Sequence, residues 1–170
     1  SGVLNLGLEG MMIMGAIIGL VVQYHTGSGL LSVMAAMIAG ILMASIFAIL
    51  TQFLLTNHVA TGLALTLFGL GVSAFIGKSY SEITVVKISE IHIPWLSDLP
   101  LIGQLVFGYD PLFYLAILMV LLVWWFIFKT KKGLILRAIG DNHDAAHAIG
   151  HQVVRYRVLA ILFGGAMAGI

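Results

Sequence analysis

The stretch that decides the fold is KTKKGLILRAIGDNHDAAHAIGHQVVRYR, residues 129–157. It contains six of the eight Lys and Arg residues of the chain, and apolar runs flank it on both sides. A charged side chain near the bilayer centre costs about 3 kcal/mol or more. We therefore predict a water-exposed loop between two membrane helices. The positive-inside rule places this loop in the cytoplasm.

The composition is that of a membrane protein. Of the 170 residues, 61% are hydrophobic and only 9% are charged, whereas about 25% are charged in an average soluble domain. A chain of this size cannot bury so many apolar residues in one core. We therefore expect lipid to surround much of the chain. The net charge of +1 gives no sign of nucleic-acid binding. The absence of cysteine excludes disulfides and thiolate metal sites.

The apolar runs predict an all-α, polytopic membrane bundle of about five spans. They cover residues 3–24, 30–56, 59–77, 111–128 and 158–170. The last run is shorter than the about 20 residues that a span needs, and the first residue is Ser1 rather than Met. We therefore expect a fragment, truncated at the C-terminus and also at the N-terminus.

Loop charges give the expected orientation. The 78–110 connection has two Lys and no Arg, against six basic residues in 129–157, so it is expected outside the cell. Alternation then puts the 25–29 turn outside, and the 57–58 turn and Ser1 inside.

Small and polar residues mark particular spans. In the second run a small residue recurs every four positions, which predicts a ridge for close helix packing; its members are Ala36, Gly40, Ala44 and Ala48. Glu9 is the only acid inside a predicted span. Either it belongs to a substrate path, or it lies near the interface or caps a helix that begins at Gly10; Asn5 shares either role. Gly7 and Gly10 are candidate break points in the first helix.

Residues 140–150, GDNHDAAHAIG, predict a short cytoplasmic helix. Asp141 or Asn142 is the expected N-cap, Asp144 lies in the first turn, and Gly150 ends the helix. The pattern fits equally a rigid knob that docks on another protein and a solvated connector.

No pattern for metal, nucleotide or catalysis is found. His143, His147 and His151 are spaced at i, i+4 and i+8, but no further ligand accompanies them. The Gly-Lys-Ser at 77–79 lacks the spacing of a phosphate-binding loop. We predict no metal site, no cofactor and no enzymatic activity for this chain.

Four motifs together resemble one family. The run Gly-Leu-x-Leu-Arg-Ala-x-Gly-Asp-Asn at 133–142, followed by Asp-Ala-Ala at 144–146, Gly150 and Val-Val-Arg-Tyr-Arg at 153–157, resembles the signature loop of ABC importer permeases of the ribose, branched-chain amino acid and nucleoside class. Ser-Gly-Val-x-Asn-Leu-Gly-x-Glu-Gly-Met-Met at 1–12 resembles the nucleoside-type members, as do 57–65 and 93–103. The chain departs from the family in having Asp-Asn-His at 141–143 in place of Glu-Asn-Pro. It also lacks the Asp-Leu-Ser element of sugar members, and His151 stands where a pair such as Ile-Asn is commoner.

The resemblance implies one transmembrane permease domain over residues 1–170, a multi-pass protein of the cell inner membrane that moves nucleosides. The alternatives are a sugar or branched-chain amino acid permease of the same class, or a gradient-driven secondary transporter. The implied partners are a cytoplasmic ATP-binding subunit, a second permease subunit and an external substrate-binding lipoprotein. The implied ATPase-coupling residues are Arg137, Gly140, Asp141, Asn142, Asp144, Ala145, Ala146 and Gly150. The candidate substrate-path residues are Asn5, Glu9 and Asn57.

Overall fold

The computed structural model describes residues 2–80, 111–142 and 152–170. These ranges contain α-helices and no strand, which confirms the all-α prediction. The helices are α1 (Leu8–Thr26), α2 (Gly29–Ala48), α3 (His58–Gly77), α4 (Pro111–Lys129), α5 (Lys131–Asp141) and α6 (Val153–Gly169). A π-helical turn, Ile49–Phe53, continues α2. By length and composition α1, α2 with this turn, α3 and α4 can each cross a membrane. The fifth predicted run corresponds to α6, which has 17 residues.

The chain forms two compact units. The first contains α1, α2, α3 and α6, together with the end of α5. The second contains α4 and the start of α5. In the second unit Thr130 shapes the turn between the helices. Its hydroxyl donates to the Phe126 carbonyl at 2.6 Å and accepts from the Gly133 amide at 3.0 Å.

In the first unit α1 and α2 form a hairpin. Its turn is Gly27–Ser28, and Gly27 has a φ of 66°, a conformation that glycine adopts without a Cβ clash. The Ser32 hydroxyl donates to the Gly19 carbonyl at 2.6 Å and ties the two helices near the turn. The polar turn is thus shorter than the predicted 25–29.

The third helix runs parallel to the first. Gly10 of α1 lies against Gly69 of α3, and further along both helices Ile17 lies against Gly77. The start of α3 therefore lies at the same end of the unit as the start of α1, as the predicted alternation of spans requires.

The sixth helix packs antiparallel to α2 through small residues. Gly165 meets Gly40 and Ala44, and Gly169 meets Ala36. All four positions of the predicted small-residue ridge in α2 are buried, so the packing prediction is confirmed. The apolar core beside this contact contains Met11, Met43, Ala44, Phe47, Ala48, Leu65 and Ile161.

Two predicted boundaries are wrong. The 129–157 stretch is not a single loop, since α5 occupies Lys131–Asp141 and α6 begins at Val153. The run 131–141 is amphipathic: Ile139 is fully buried while Arg137 is exposed. Such a helix keeps its charges in water and still buries one face, so a high charge content did not require an irregular loop.

The first span also differs from its prediction. Residues 2–7 are not helical, and α1 begins at Leu8 rather than at residue 3. Asn5 explains the delay, because its side-chain oxygen accepts a hydrogen bond from the Gly7 amide at 2.9 Å and competes with helix formation. Gly7 precedes α1 and the helix is continuous through Gly10, so the candidate break point at Gly10 is not used.

Close approach of α2 and α6 leads to a first prediction. A Cβ at Gly165 would overlap the Ala44 Cβ and lie 2.7 Å from the Gly40 carbonyl oxygen, whereas a Cβ at Gly164 would meet nothing within 4 Å. We expect Gly165→Val to destabilise the purified protein by about 1–3 kcal/mol, because the backbones must separate. Thermal unfolding in detergent measures the effect, with Gly164→Val as the matched control. Equal destabilisation by the two variants would contradict the observed packing.

Candidate functional site

One end of the first unit gathers the basic residues. The end of α5 and the start of α6 meet residue 2 there: a Cβ at Gly2 would lie 3.2 Å from the Gly140 carbonyl oxygen and 3.6 Å from Arg157 Nη2. We call this the basic end; its described basic residues are Arg137, Arg155 and Arg157.

The opposite end carries an aromatic cluster. His25 Nε2 and the Tyr80 hydroxyl are 3.0 Å apart, and the rings of Tyr24 and Tyr80 meet edge to face at 5.7 Å. Tyrosines are common at the headgroup level of membranes. The positive-inside rule predicts that the basic end faces the cytoplasm and the aromatic cluster faces outward, and this orientation stays a prediction.

Two candidate path residues lie at the start of α1. Asn5 is half-buried, and besides its bond to Gly7 it points its amide nitrogen at Met11 Sδ, 3.8 Å away. Glu9 is exposed and lies in the first turn of α1. A carboxylate there is favoured by the positive helix end by about 0.3–1 kcal/mol. Glu9 therefore lies at the basic end of the unit. Its position in the first turn of α1 fits the alternative in which Glu9 stabilises the start of a helix.

Asn57 caps α3. Its side-chain oxygen accepts hydrogen bonds from the Val59 amide at 2.9 Å and the Ala60 amide at 3.2 Å. These amides have no partner within the helix. Asn57 thus lies at the same end as Asn5 and Glu9, but in the described part of the chain no hydrogen bond joins it to either residue.

A buried polar pair escaped the sequence reasoning. Thr51 and Gln52 are only 2% and 8% exposed and lie in the π-helical turn that ends α2. The Thr51 hydroxyl donates to the Phe47 carbonyl at 2.7 Å and accepts from Gln52 Nε2 at 3.3 Å. Their signal in the sequence was two adjacent polar residues inside an apolar run. π-Helical turns occur frequently at functional sites.

The predicted coupling residues fall partly on α5. Arg137, Gly140 and Asp141 belong to its last turns, and the Asn142 amide donates to the Ala138 carbonyl at 3.0 Å. Asp141 therefore closes one helix instead of opening the predicted one. The remaining coupling residues, Asp144, Ala145, Ala146 and Gly150, lie outside the described residues, as do His143, His147 and His151. Among the residues that are described, no three His, Asp or Glu side chains form a group able to hold a metal ion.

Comparison with known proteins identifies the family. The family described as branched-chain amino acid transport system / permease component matches residues 1–170. The chain belongs to this family. The match confirms the resemblance found in the motifs and, with the apolar helices, assigns this permease component to the cell inner membrane as a multi-pass protein.

Similar permeases are known from several organisms. The chain is 36% identical to the putative glucose ABC transporter permease protein TsgC13 of Haloferax volcanii, over 99% of this chain and 53% of the relative. It is 32% identical to the nucleoside ABC transporter permease protein NupC of Lactococcus lactis and 33% identical to the guanosine ABC transporter permease protein NupQ of Bacillus subtilis. Each of these two matches covers 100% of this chain and 57% of the relative. The chain thus spans about half the length of these permeases. No solved structure gives a significant match.

The cap of α3 leads to a second prediction. Asn57→Ala removes both bonds to the helix start and should destabilise the permease by about 1 kcal/mol. Asn57→Asp keeps an acceptor oxygen and should retain most of the stability. Thermal unfolding of the purified variants in detergent measures both. If the Asp variant were as unstable as the Ala variant, the capping role would be refuted.

Proposed function

We propose that this chain belongs to the membrane-spanning permease subunit of an ATP-driven ABC importer that carries nucleosides across the inner membrane. The observation that carries the proposal is the similarity over the full chain to NupC and NupQ, whose names state nucleoside and guanosine transport. The permease performs no covalent chemistry, and ATP is hydrolysed on a separate cytoplasmic subunit.

A sugar is the second candidate substrate. TsgC13, named as a putative glucose permease, is 36% identical to this chain. Nucleosides and sugars share a ring with several hydroxyl groups, so polar groups that recognise such a ring serve both classes. The nucleoside is preferred because motif 1–12 lacks the Asp-Leu-Ser element of sugar members.

The basic end is the proposed contact for the ATPase. Helix α5 ends there at Asp141, and the segment that follows leads to α6. The proposed contact residues are Arg137, Gly140, Asp141, Asn142, Asp144, Ala145, Ala146 and Gly150. A second permease subunit and an external substrate-binding lipoprotein complete the importer, with the lipoprotein on the side of the aromatic cluster.

The candidate path residues are proposed to act at the inner mouth of the importer. Asn5, Glu9 and Asn57 lie at the starts of α1 and α3, which under this proposal face the cytoplasm. Polar groups at this level would hydrate and release the substrate, since they need not be desolvated in the centre of the bilayer.

Transport in reconstituted vesicles tests the proposed function. We expect uptake of labelled guanosine that requires ATP and the binding lipoprotein, that persists when ion gradients are collapsed, and that unlabelled nucleosides inhibit while glucose does not. Inhibition by glucose with no effect of nucleosides would support the sugar alternative. Loss of uptake on collapse of the gradients, with ATP present, would overturn the ATP-driven proposal in favour of a secondary transporter.

The coupling role leads to a further prediction. Ala146→Phe in the full-length protein should abolish co-purification of the ATPase subunit and reduce uptake at least about tenfold, because a bulky side chain would obstruct a close interface. Ala74→Phe, at an exposed position near the outer end of α3, is the control and should retain both. Unchanged co-purification and uptake in the Ala146 variant would contradict the proposed contact.

A further inference from the structure

The non-helical residues 2–7, which we call the strap, are held at both ends. At the first end, Gly2 lies against the backbone of Gly140 and beside Arg157. In the middle, Val3 packs against the apolar core of the bundle. The strap therefore contacts the rest of the first unit at both ends and at Val3.

The first end favours glycine. Gly2 has a φ of 69°, and a Cβ there would lie 3.2 Å from the Gly140 oxygen and 3.4 Å from the Gly140 Cα. Such separations are tighter than ordinary van der Waals contact. Gly2 is therefore a close neighbour of the end of α5, and a side chain at this position would press on Gly140.

The second end is fixed to α3. The Thr66 hydroxyl donates a hydrogen bond to the Leu6 carbonyl at 3.0 Å. A Cβ at Gly62 would lie 2.9 Å from the amide nitrogens of Leu6 and Gly7, so the backbones touch. Any movement of the strap is thus passed to α3 through one hydrogen bond and one backbone contact.

A hydrogen bond restricts the second half of the strap. The Asn5 side-chain oxygen accepts from the Gly7 amide at 2.9 Å and closes a local turn. Chains of packed groups with fixed internal geometry transmit a displacement, because protein interiors have low compressibility. A flexible linker of equal length would absorb it.

We propose that the strap is a mechanical tie that conveys movement of the end of α5 to α3. The inference rests on the proposed function, in which the segment after α5 contacts the ATPase. Pulling or pushing on Gly140 shifts Gly2, and the Leu6–Thr66 bond carries the shift into α3, which packs along α1. The strap therefore acts as a positioning element for transport and touches neither ATP nor substrate.

Removing the hydrogen bond between Thr66 and Leu6 tests the tie at its second end. Thr66→Val keeps the side-chain shape and removes the donor to Leu6. We expect normal co-purification of the ATPase and normal ATP hydrolysis, while guanosine uptake per ATP hydrolysed falls at least about fivefold. Thr66→Ser should restore the ratio. Thr26→Val is the matched control, because the Thr26 hydroxyl donates to the Val22 carbonyl and accepts from the Ser28 amide, at the other end of α1 from the strap.

Disturbing the contact between Gly2 and Gly140 gives an independent test at the first end. Gly2→Ala places a methyl group against Gly140 and should lower the same ratio. Gly27→Ala is its control, because Gly27 has a similar φ of 66° but a Cβ there would meet nothing within 4 Å. If both ends belong to one tie, the double variant Gly2→Ala, Thr66→Val should be no worse than the poorer single variant.

The outcomes separate the tie from the proposed function. Wild-type ratios of uptake to ATP in both single variants, or losses that add in the double variant, would overturn the tie. Failure of the wild-type protein to show any ATP-dependent uptake would instead overturn the proposed function.

Discussion

Backbone-to-backbone contact between small residues is the constraint on which the first unit depends. In lipid, an apolar side chain gains little free energy by moving from the hydrocarbon into the protein interior. Membrane helices therefore associate through close packing and polar bonds. Gly40, Gly165 and Gly169 allow α2 and α6 to meet at their backbones, and Gly10 and Gly69 do the same for α1 and α3. The large side chains on the other faces remain exposed, as expected for surfaces that meet lipid or other subunits.

Polar side chains in this bundle mostly serve the ends of helices. Asn57 satisfies the first amides of α3, Asn5 closes the turn before α1, and the Ser32 hydroxyl joins α2 to α1. Unsatisfied backbone groups are costly in hydrocarbon, so polar residues are retained where regular helix hydrogen bonding stops. The Thr51–Gln52 pair follows the same logic in the π-helical turn, where the ladder of α2 changes its register.

Under the proposed function, the arrangement of the two ends connects this packing with transport. Because α1, α3 and α6 run in one direction and α2 in the other, the starts of three helices lie at the basic end, where Gly2 meets the end of α5. A partner on the cytoplasmic side would thus reach several helices at once. Since tightly packed helices shift as units rather than deform, the proposed contact with an ATPase would rearrange whole helices.

The sequence by itself determined the all-α membrane class, the positions of most spans and the family. These follow from hydropathy, from the clustering of basic residues and from ordered motifs, which are local properties of the chain. It also predicted the small-residue ridge of α2, because spacing along a helix fixes which residues share a face. Only the tertiary structure decided that α6 covers this ridge, that residues 2–7 bridge α5 and α3, and that residues 131–141 form a helix. These three features depend on contacts between residues distant in the chain or on burial of one amphipathic face. Composition and local spacing do not reveal such contacts or such burial.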